Sequence, residues 1–440
     1  MKRRRRLSVI AVFVLLFCLC GCNGLTADTD QLIRPPQLTG EMKAIGKALS
    51  DGIKGSYTLK YPTAGDRRSA IITEDVDGDG ILEAFAFYGK ESDKTATVSV
   101  AMIRSVNGKW QFKAHQTIEA SAVERVEFCD LDGSGYQSVL IGFEVFGSSE
   151  KQLAVYHTAN GKLTKRMLQQ YTDFLGCDLD EDGKNEIFVQ SLSPADGVNR
   201  ASLFALTDEG ITERSTCLLD QTVKAAGTLT LGELSSGQPA VYVDEIKGTG
   251  AITEVLFLSK GHLVNPLLDT EVGENTRTLH NTALKGTDMN EDGVLEIPIS
   301  IPLTQPVGVA DWEQLYLTGW YSFNGERLDI QKRTAVNTAD GYYITIPDKW
   351  AGKISLKRDT DAKQLTVYAV DGETQMLGNR LADVRYFPEK QWKEVRRKGT
   401  VYKEICRTDD GVFGVLLDET SENLSVSLED FRKLFAVREW

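Results

Sequence analysis

Along most of the chain, short apolar runs alternate with breaks rich in Gly, Asn and Asp. Ala96 to Met102 alternates apolar and polar residues with a period of two, the pattern of a half-buried strand. Ala84-Phe85-Ala86-Phe87-Tyr88, Val139 to Val145 and Leu153 to Tyr156 are near-continuous apolar runs of strand length, and Trp110 to Ala114 completes the first set. Helical periodicity is confined to three places: Glu41 to Leu49, Glu389 to Arg396, and Leu428 to Ala436 with Ser427 as its cap and Glu429 and Asp430 in its first turn.

The breaks repeat. Four are acidic nine-residue loops, beginning at Asp75, Asp130, Asp178 and Asp288. Between the last two, Gly232 to Ala240 keeps the second glycine of the loop, Gly237, but no acid at the loop's aspartate positions. The starts at 75, 130, 178, 232 and 288 are 55, 48, 54 and 56 residues apart, so one unit is about fifty residues. A turn marks each unit independently: Asn107-Gly108, Asn160-Gly161, Glu209-Gly210, Lys260-Gly261 and Asn324-Gly325. Their glycines fall 33, 31, 32, 29 and 37 residues after the loop starts, and Asn-Gly between apolar runs signals a type I′ hairpin. The fourth unit is thus a repeat that has lost its acids. Units beginning near 70, 123, 174, 226 and 284, each with four short strands, give a mainly β fold. The expected architecture is a β-propeller of about five four-stranded blades, with a β-solenoid or a row of sandwiches as the alternative. Tyr57 to Tyr61 would be a closing strand or part of a sixth blade.

Carboxylates at alternate positions of a tight loop suit a hard cation such as Ca²⁺, which takes six to eight oxygens. The first loop offers Asp75, Asp77, Asp79 and Glu83 with the carbonyl of Ile81, and the third Asp178, Asp180, Asp182 and Glu186 with that of Lys184. The fifth unit's loop offers Asp288, Asn290, Asp292 and Glu296 with the carbonyl of Val294. The second has only Asp130 and Asp132 as charged ligands, beside Ser134 and Ser138. Three structural calcium sites are expected, with the second loop as a fourth. An EF-hand needs an acid at position 12, where these loops have Ala86, Val189 and Ile299. Such loops, placed after a short strand and repeated at this period, resemble the FG-GAP/VCBS repeats of integrin-type β-propellers. The resemblance covers roughly residues 55 to 335 and implies a calcium-stabilised propeller; the Phe-Gly…Gly-Ala-Pro signature is absent.

From about 336 to 440 the period stops and strands mix with helices, as in a small α+β domain. At the other end, Lys2 and Arg3 to Arg6 precede an apolar stretch from Leu7 to Leu19, too short to span a bilayer. It leads into Leu19-Cys20-Gly21-Cys22, which resembles the lipobox of bacterial lipoproteins. That resemblance makes residues 1–21 a signal peptide, Cys22 the lipidated anchor to the bacterial cell membrane, and 22–54 a tether with a short helix.

Net charge is −13, and near −18 once the basic leader is removed, which disfavours nucleic acid. Of the body's four cysteines, Cys129 and Cys177 hold equivalent places before two acidic loops and are read as buried free thiols. His115, His157, His262 and His280 are scattered, and no nucleophile, P-loop or metalloprotease motif is present. The reading is a non-catalytic surface module for a protein or glycan ligand; Trp312, Trp320 and Trp350 are candidate contact residues, with a place in the buried core as the favoured role of each. A polysaccharide lyase or hydrolase on a propeller scaffold is the alternative.

Overall fold

The computed structural model describes residues 40–440, apart from 93–94, 148–150, 193–195, 282, 310–312 and 419–422. The expected signal peptide, Cys22, most of the expected tether and Trp312 lie outside the described residues.

Helix α1 (Gly40–Ile53) buries Ile45, Ala48, Leu49 and Ile53, a spacing that gathers them on one helical face. Five antiparallel sheets follow. The first joins β1 (Tyr57–Leu59), β2 (Ile71–Glu74), β3 (Glu83–Lys90), β4 (Thr97–Val106) and β5 (Lys109–Glu119). The second is β6 (Ala122–Cys129), β7 (Ser138–Glu144), β8 (Lys151–His157) and β9 (Thr164–Tyr171). The third is β10 (Asp173–Cys177), β11 (Glu186–Ser191), β12 (Arg200–Thr207) and β13 (Gly210–Leu218). The fourth is β14 (Ala225–Glu233), β15 (Pro239–Lys247), β16 (Gly250–Ser259) and β17 (His262–Val264). In the fifth, the first strand is reduced to a bridge between Thr287 and Glu296. It continues through β18 (Ile297–Pro302), β19 (Tyr316–Phe323), β20 (Leu328–Asn337) and β21 (Tyr342–Thr345). The repeat boundaries therefore coincide with sheet boundaries, and the fold is mainly β with propeller-type blades.

The blades stack face to face, and this decides which residues are apolar. On β3 and β4, Phe85, Phe87, Val100 and Met102 pack against Val139, Ile141 and Phe143 of the second sheet. On the opposite face Ala84, Ala86, Ala101 and Ile103 meet α1. Leu140 and Val155 of the second sheet turn to Ile187 and Val189 of the third. Phe188 and Leu203 of the third turn to Val241 and Leu256 of the fourth, and Tyr242 and Phe257 of the fourth to Ile297 and Phe323 of the fifth. Middle strands are buried on both faces, so they read as continuous apolar runs. The outer strand β5 is half in water and alternates. Each large apolar side chain so buried contributes about 1.5–3 kcal/mol.

The row ends at α1, whose other face, with Glu41, Lys43, Lys47 and Asp51, is exposed. Strand β1 lies beside β3 (Leu59 opposite Tyr88) and extends the first sheet; it does not close a ring onto the last. At the far end, Leu317, Ala335, Tyr342 and Ile344 of the fifth sheet pack on a separate five-stranded sheet. That sheet comprises β22 (Ile354–Asp359), β23 (Gln364–Val370), β24 (Leu377–Pro388), β25 (Lys403–Arg407) and β26 (Gly411–Leu417), with α2 (Glu389–Arg397) after β24. After α3 (Leu428–Leu434), whose cap Ser427 accepts from the Asp430 N–H, the chain returns to the fifth sheet as β27 (Phe435–Val437). The expected last helix thus stops two residues early, because Phe435 and Ala436 pair with β21.

The structure decides two further expectations. Trp320 and Trp350 are fully buried, as the core reading expects: their indole N–H groups donate to Thr334 Oγ1 at 2.9 Å and the Leu424 carbonyl at 2.7 Å, and neither is a contact residue. Of the five turns, Asn107-Gly108 (φ 52° and 72°) and Lys260-Gly261 (52° and 80°) have the paired positive φ of type I′. Asn324-Gly325 instead opens a wider loop, in which Asn324 Oδ1 accepts from the Glu326 and Arg327 N–H groups.

Candidate metal loops

Each acidic loop joins the first and second strands of a blade, and all four share one backbone scheme. The position-1 aspartate accepts from the glycine N–H at position 6: Gly80 to Asp75 at 2.9 Å, Gly135 to Asp130 at 2.7 Å, Gly183 to Asp178 at 3.0 Å and Gly293 to Asp288 at 2.9 Å. Position 5 accepts from the N–H of position 7: Ile81 to Asp79, Tyr136 to Ser134, Lys184 to Asp182 and Val294 to Asp292. Position 2 is a buried apolar plug in every case: Val76, Leu131, Leu179 and Met289. Its N–H donates to the position-9 glutamate in three loops, at 3.2 Å to Glu83, 3.0 Å to Glu186 and 2.7 Å to Glu296. Several of the acids therefore hold the turn as well as facing its centre.

Among the described residues, two groups bring three carboxylate oxygens within 4.8 Å of one another: Asp75 with Asp77 and Glu83, and Asp178 with Asp180 and Asp182. Asp79 and Glu186 stand aside from these trios. The loops at Asp130 and Asp288 form no such trio: Asp130 and Asp132 accept backbone N–H groups, and Asn290 donates its amide to Asp292 at 2.9 Å.

Sequence reasoning missed the cations. Arg104 on β4, directly opposite Glu83 in the register, pairs with Asp77, with Asp79 at 3.1 Å and with Glu83 at 2.9 Å. Arg214 on β13 pairs with Asp180 and Glu186, both at 2.6 Å. Repulsion within these two loops is thus partly answered by a guanidinium from another strand of the same blade. The one usable signal was register, since Arg104 lies three residues before a hairpin turn. Lys332 on β20 plays a looser part in the fifth unit, donating to the Met289 carbonyl at 2.8 Å.

Burial pushes the Glu83 carboxyl up to about 7, against the pull of the Val76 N–H and with the charge of Asp77 adding to the rise. Glu186 and Glu296 are raised for the same first reason. Glu296 is fully buried, and its Oε1 has no hydrogen-bond partner; Asp77 Oδ1 is likewise buried and without one. Convergent carboxylates and unsatisfied acceptors form a donor set that fits a divalent, oxygen-seeking cation.

Neighbouring loops are tied together. The Gln137 N–H, from the second loop, donates to the Val76 carbonyl of the first at 2.8 Å. Asn185 of the third donates backbone and side-chain N–H groups to the Asp130 carbonyl at 2.8 and 3.0 Å. The first three acidic loops therefore form a continuous rim along one edge of the stack. Cys129 and Cys177, just before two of the loops, are free and buried.

No family model matches the chain, and no curated protein matches it. Among solved structures, it is similar to a rhamnogalacturonan lyase from Bacillus licheniformis, at 12% identity over 74% of this chain and 77% of that one, with a TM-score of 0.33. A periplasmic gluconolactonase from Pseudomonas aeruginosa matches at 12% identity over 74% and 95%, with a TM-score of 0.32. The β-propeller domain of the Trilobed protease from Pyrococcus furiosus matches at 10% identity over 72% and 89%, with a TM-score of 0.29. At these scores nothing about chemistry follows. Among the described residues, no helix is long and apolar enough to cross a membrane.

Proposed function

We propose that the chain is an exported lipoprotein, held at a membrane surface by lipid on Cys22, whose FG-GAP/VCBS-type blades are stabilised by calcium. In this reading the array is a non-catalytic binding module for a protein or glycan. The observation that carries it is the acidic rim: two loops with three converging carboxylate oxygens each, on one edge of a row of blades. Asp75, Asp77 and Glu83 would hold one ion and Asp178, Asp180 and Asp182 another. The ion would supply positive charge where one guanidinium faces several carboxylates. Because it binds the folded loop and not the unfolded chain, each site would add stability by mass action, about 2.7 kcal/mol at a hundredfold excess over Kd. Arg104 and Arg214 keep the ion-free loops from flying apart, so chelation should weaken the fold without abolishing it. EDTA is expected to lower the melting temperature and added Ca²⁺ to restore it. An unchanged melt would refute the calcium reading. Release of shortened or unsaturated sugars from a polysaccharide panel would refute the non-catalytic one.

A further inference from the structure

A cleft of about 710 Å³ opens where the turn at 247–250 of the fourth sheet, the 279–284 stretch, the fifth sheet and the C-terminal sheet meet. That volume suits a ligand of one or two sugar rings. One wall carries Arg358, from β22. Among the described residues its guanidinium makes a single hydrogen bond, to the Val336 carbonyl at 3.3 Å, and its buried Nε has no hydrogen-bond partner. It joins no ion pair among the described residues, whose arginine and lysine pairs in this stretch of chain involve Arg327, Lys363 and Arg380. A partly buried cation with no counter-charge is costly, and a guanidinium is shaped to take a carboxylate through two parallel N–H bonds.

The other cation on the wall, Lys247, is already committed, to Asp220 at 2.7 Å, Glu274 at 3.2 Å and the Asn275 carbonyl at 3.1 Å. The rest of the lining includes neutral hydrogen-bonding side chains, among them Ser300, Thr318 and Asn281. Tyr316, 52% exposed, offers a ring face. Glu313, also on the wall, opposes any ligand carrying several negative charges. One anionic group, hydroxyls to satisfy and a flat ring to stack describe an acidic sugar.

We propose that this cleft binds a saccharide bearing a single carboxylate, a uronic acid, with Arg358 on the carboxylate and Tyr316 against the sugar ring. The proposal rests on the glycan form of the binding role above and is independent of calcium. Calorimetric titration of the full exported chain with glucuronate- and galacturonate-containing disaccharides, their methyl esters and inorganic phosphate tests it. Saturable binding of an acidic disaccharide is expected, weaker by about tenfold to a hundredfold for the ester and for Arg358→Gln. Arg358→Lys should fall between wild type and Arg358→Gln, and Tyr316→Ala should weaken binding several-fold. The proposal is overturned if no acidic disaccharide binds, if ester and acid bind alike, if phosphate binds as tightly as the sugar, or if Arg358→Gln keeps wild-type affinity. A cooperative melt measured on the same samples, with and without calcium, confirms that each variant is folded. Absence of sugar binding by the wild-type chain with an intact calcium response rejects the cleft alone, whereas a melt unmoved by calcium rejects the loops.

Discussion

Glu245 on β15 and Glu254 on β16 are both fully buried between the third and fourth sheets. Gln190 donates to Glu245 Oε1 at 2.7 Å, while Asn265 and the Asp220 N–H donate to Glu254 at 2.5 and 3.1 Å. A protonated Glu245 donates to the Glu254 carboxylate beside it. Burial, and then the charge of Glu254, raise the Glu245 carboxyl well above its ordinary 4.5, so the folded protein keeps a proton that the unfolded chain releases. Its contribution to stability is therefore full below that ordinary value and declines as pH rises toward the folded one. Glu245→Gln, which stays neutral, should gain melting temperature relative to wild type as the pH is raised above the ordinary carboxyl value of 4.5; parallel melting profiles would contradict this. The acids of the metal loops were visible in the sequence because nine consecutive residues carry them. Arg104, Arg214 and the Glu245–Glu254 pair were not, because their partners lie on other strands and only register or sheet stacking brings them together.

At the level of the element, the four acidic loops need left-handed backbone twice. Position 6 is Gly throughout, with φ of 80°, 85°, 83° and 90°, but position 4 is Gly78, Gly133, Glu181 or Glu291, all with positive φ. A side chain at positive φ costs roughly 1–2 kcal/mol. Glu291→Gly is accordingly expected to be neutral or stabilising, and Gly293→Ala to cost about 1 kcal/mol or more, by chemical denaturation in EDTA. If Gly293→Ala were silent, the shared loop geometry would be wrong. The turns show how far spelling alone reaches. Asn107-Gly108 folds as expected and Lys260-Gly261 does so without asparagine. Asn324-Gly325 has the favoured letters yet widens, with Phe323 pairing Leu328 across four residues.

For the molecule as a whole, the repeat period revealed the number of blades, but what covers the end blades was not legible, since it depends on α1 and on a strand from the far end of the chain. That strand, β27, pairs with β21, and Trp440 stacks on Trp320 with ring centroids 5.9 Å apart and 12° between planes. Truncation after Leu434 should expose β21, uncover Trp320 and remove Phe435, which is 8% exposed. A loss of about 2–4 kcal/mol and early proteolysis of the C-terminal sheet are expected; full resistance would mean that this return strand is dispensable. The exposed outer face of α1 has another consequence. A closed ring has one circumference and must meet itself, so blades cannot be added or removed freely. A row with covers at both ends has no such seam, so insertion or deletion of a whole unit of about fifty residues, with the covers left in place, is expected to leave a chain that folds. The fourth unit, stripped of its acids but still in its slot, shows the same tolerance at the smaller scale of a single loop.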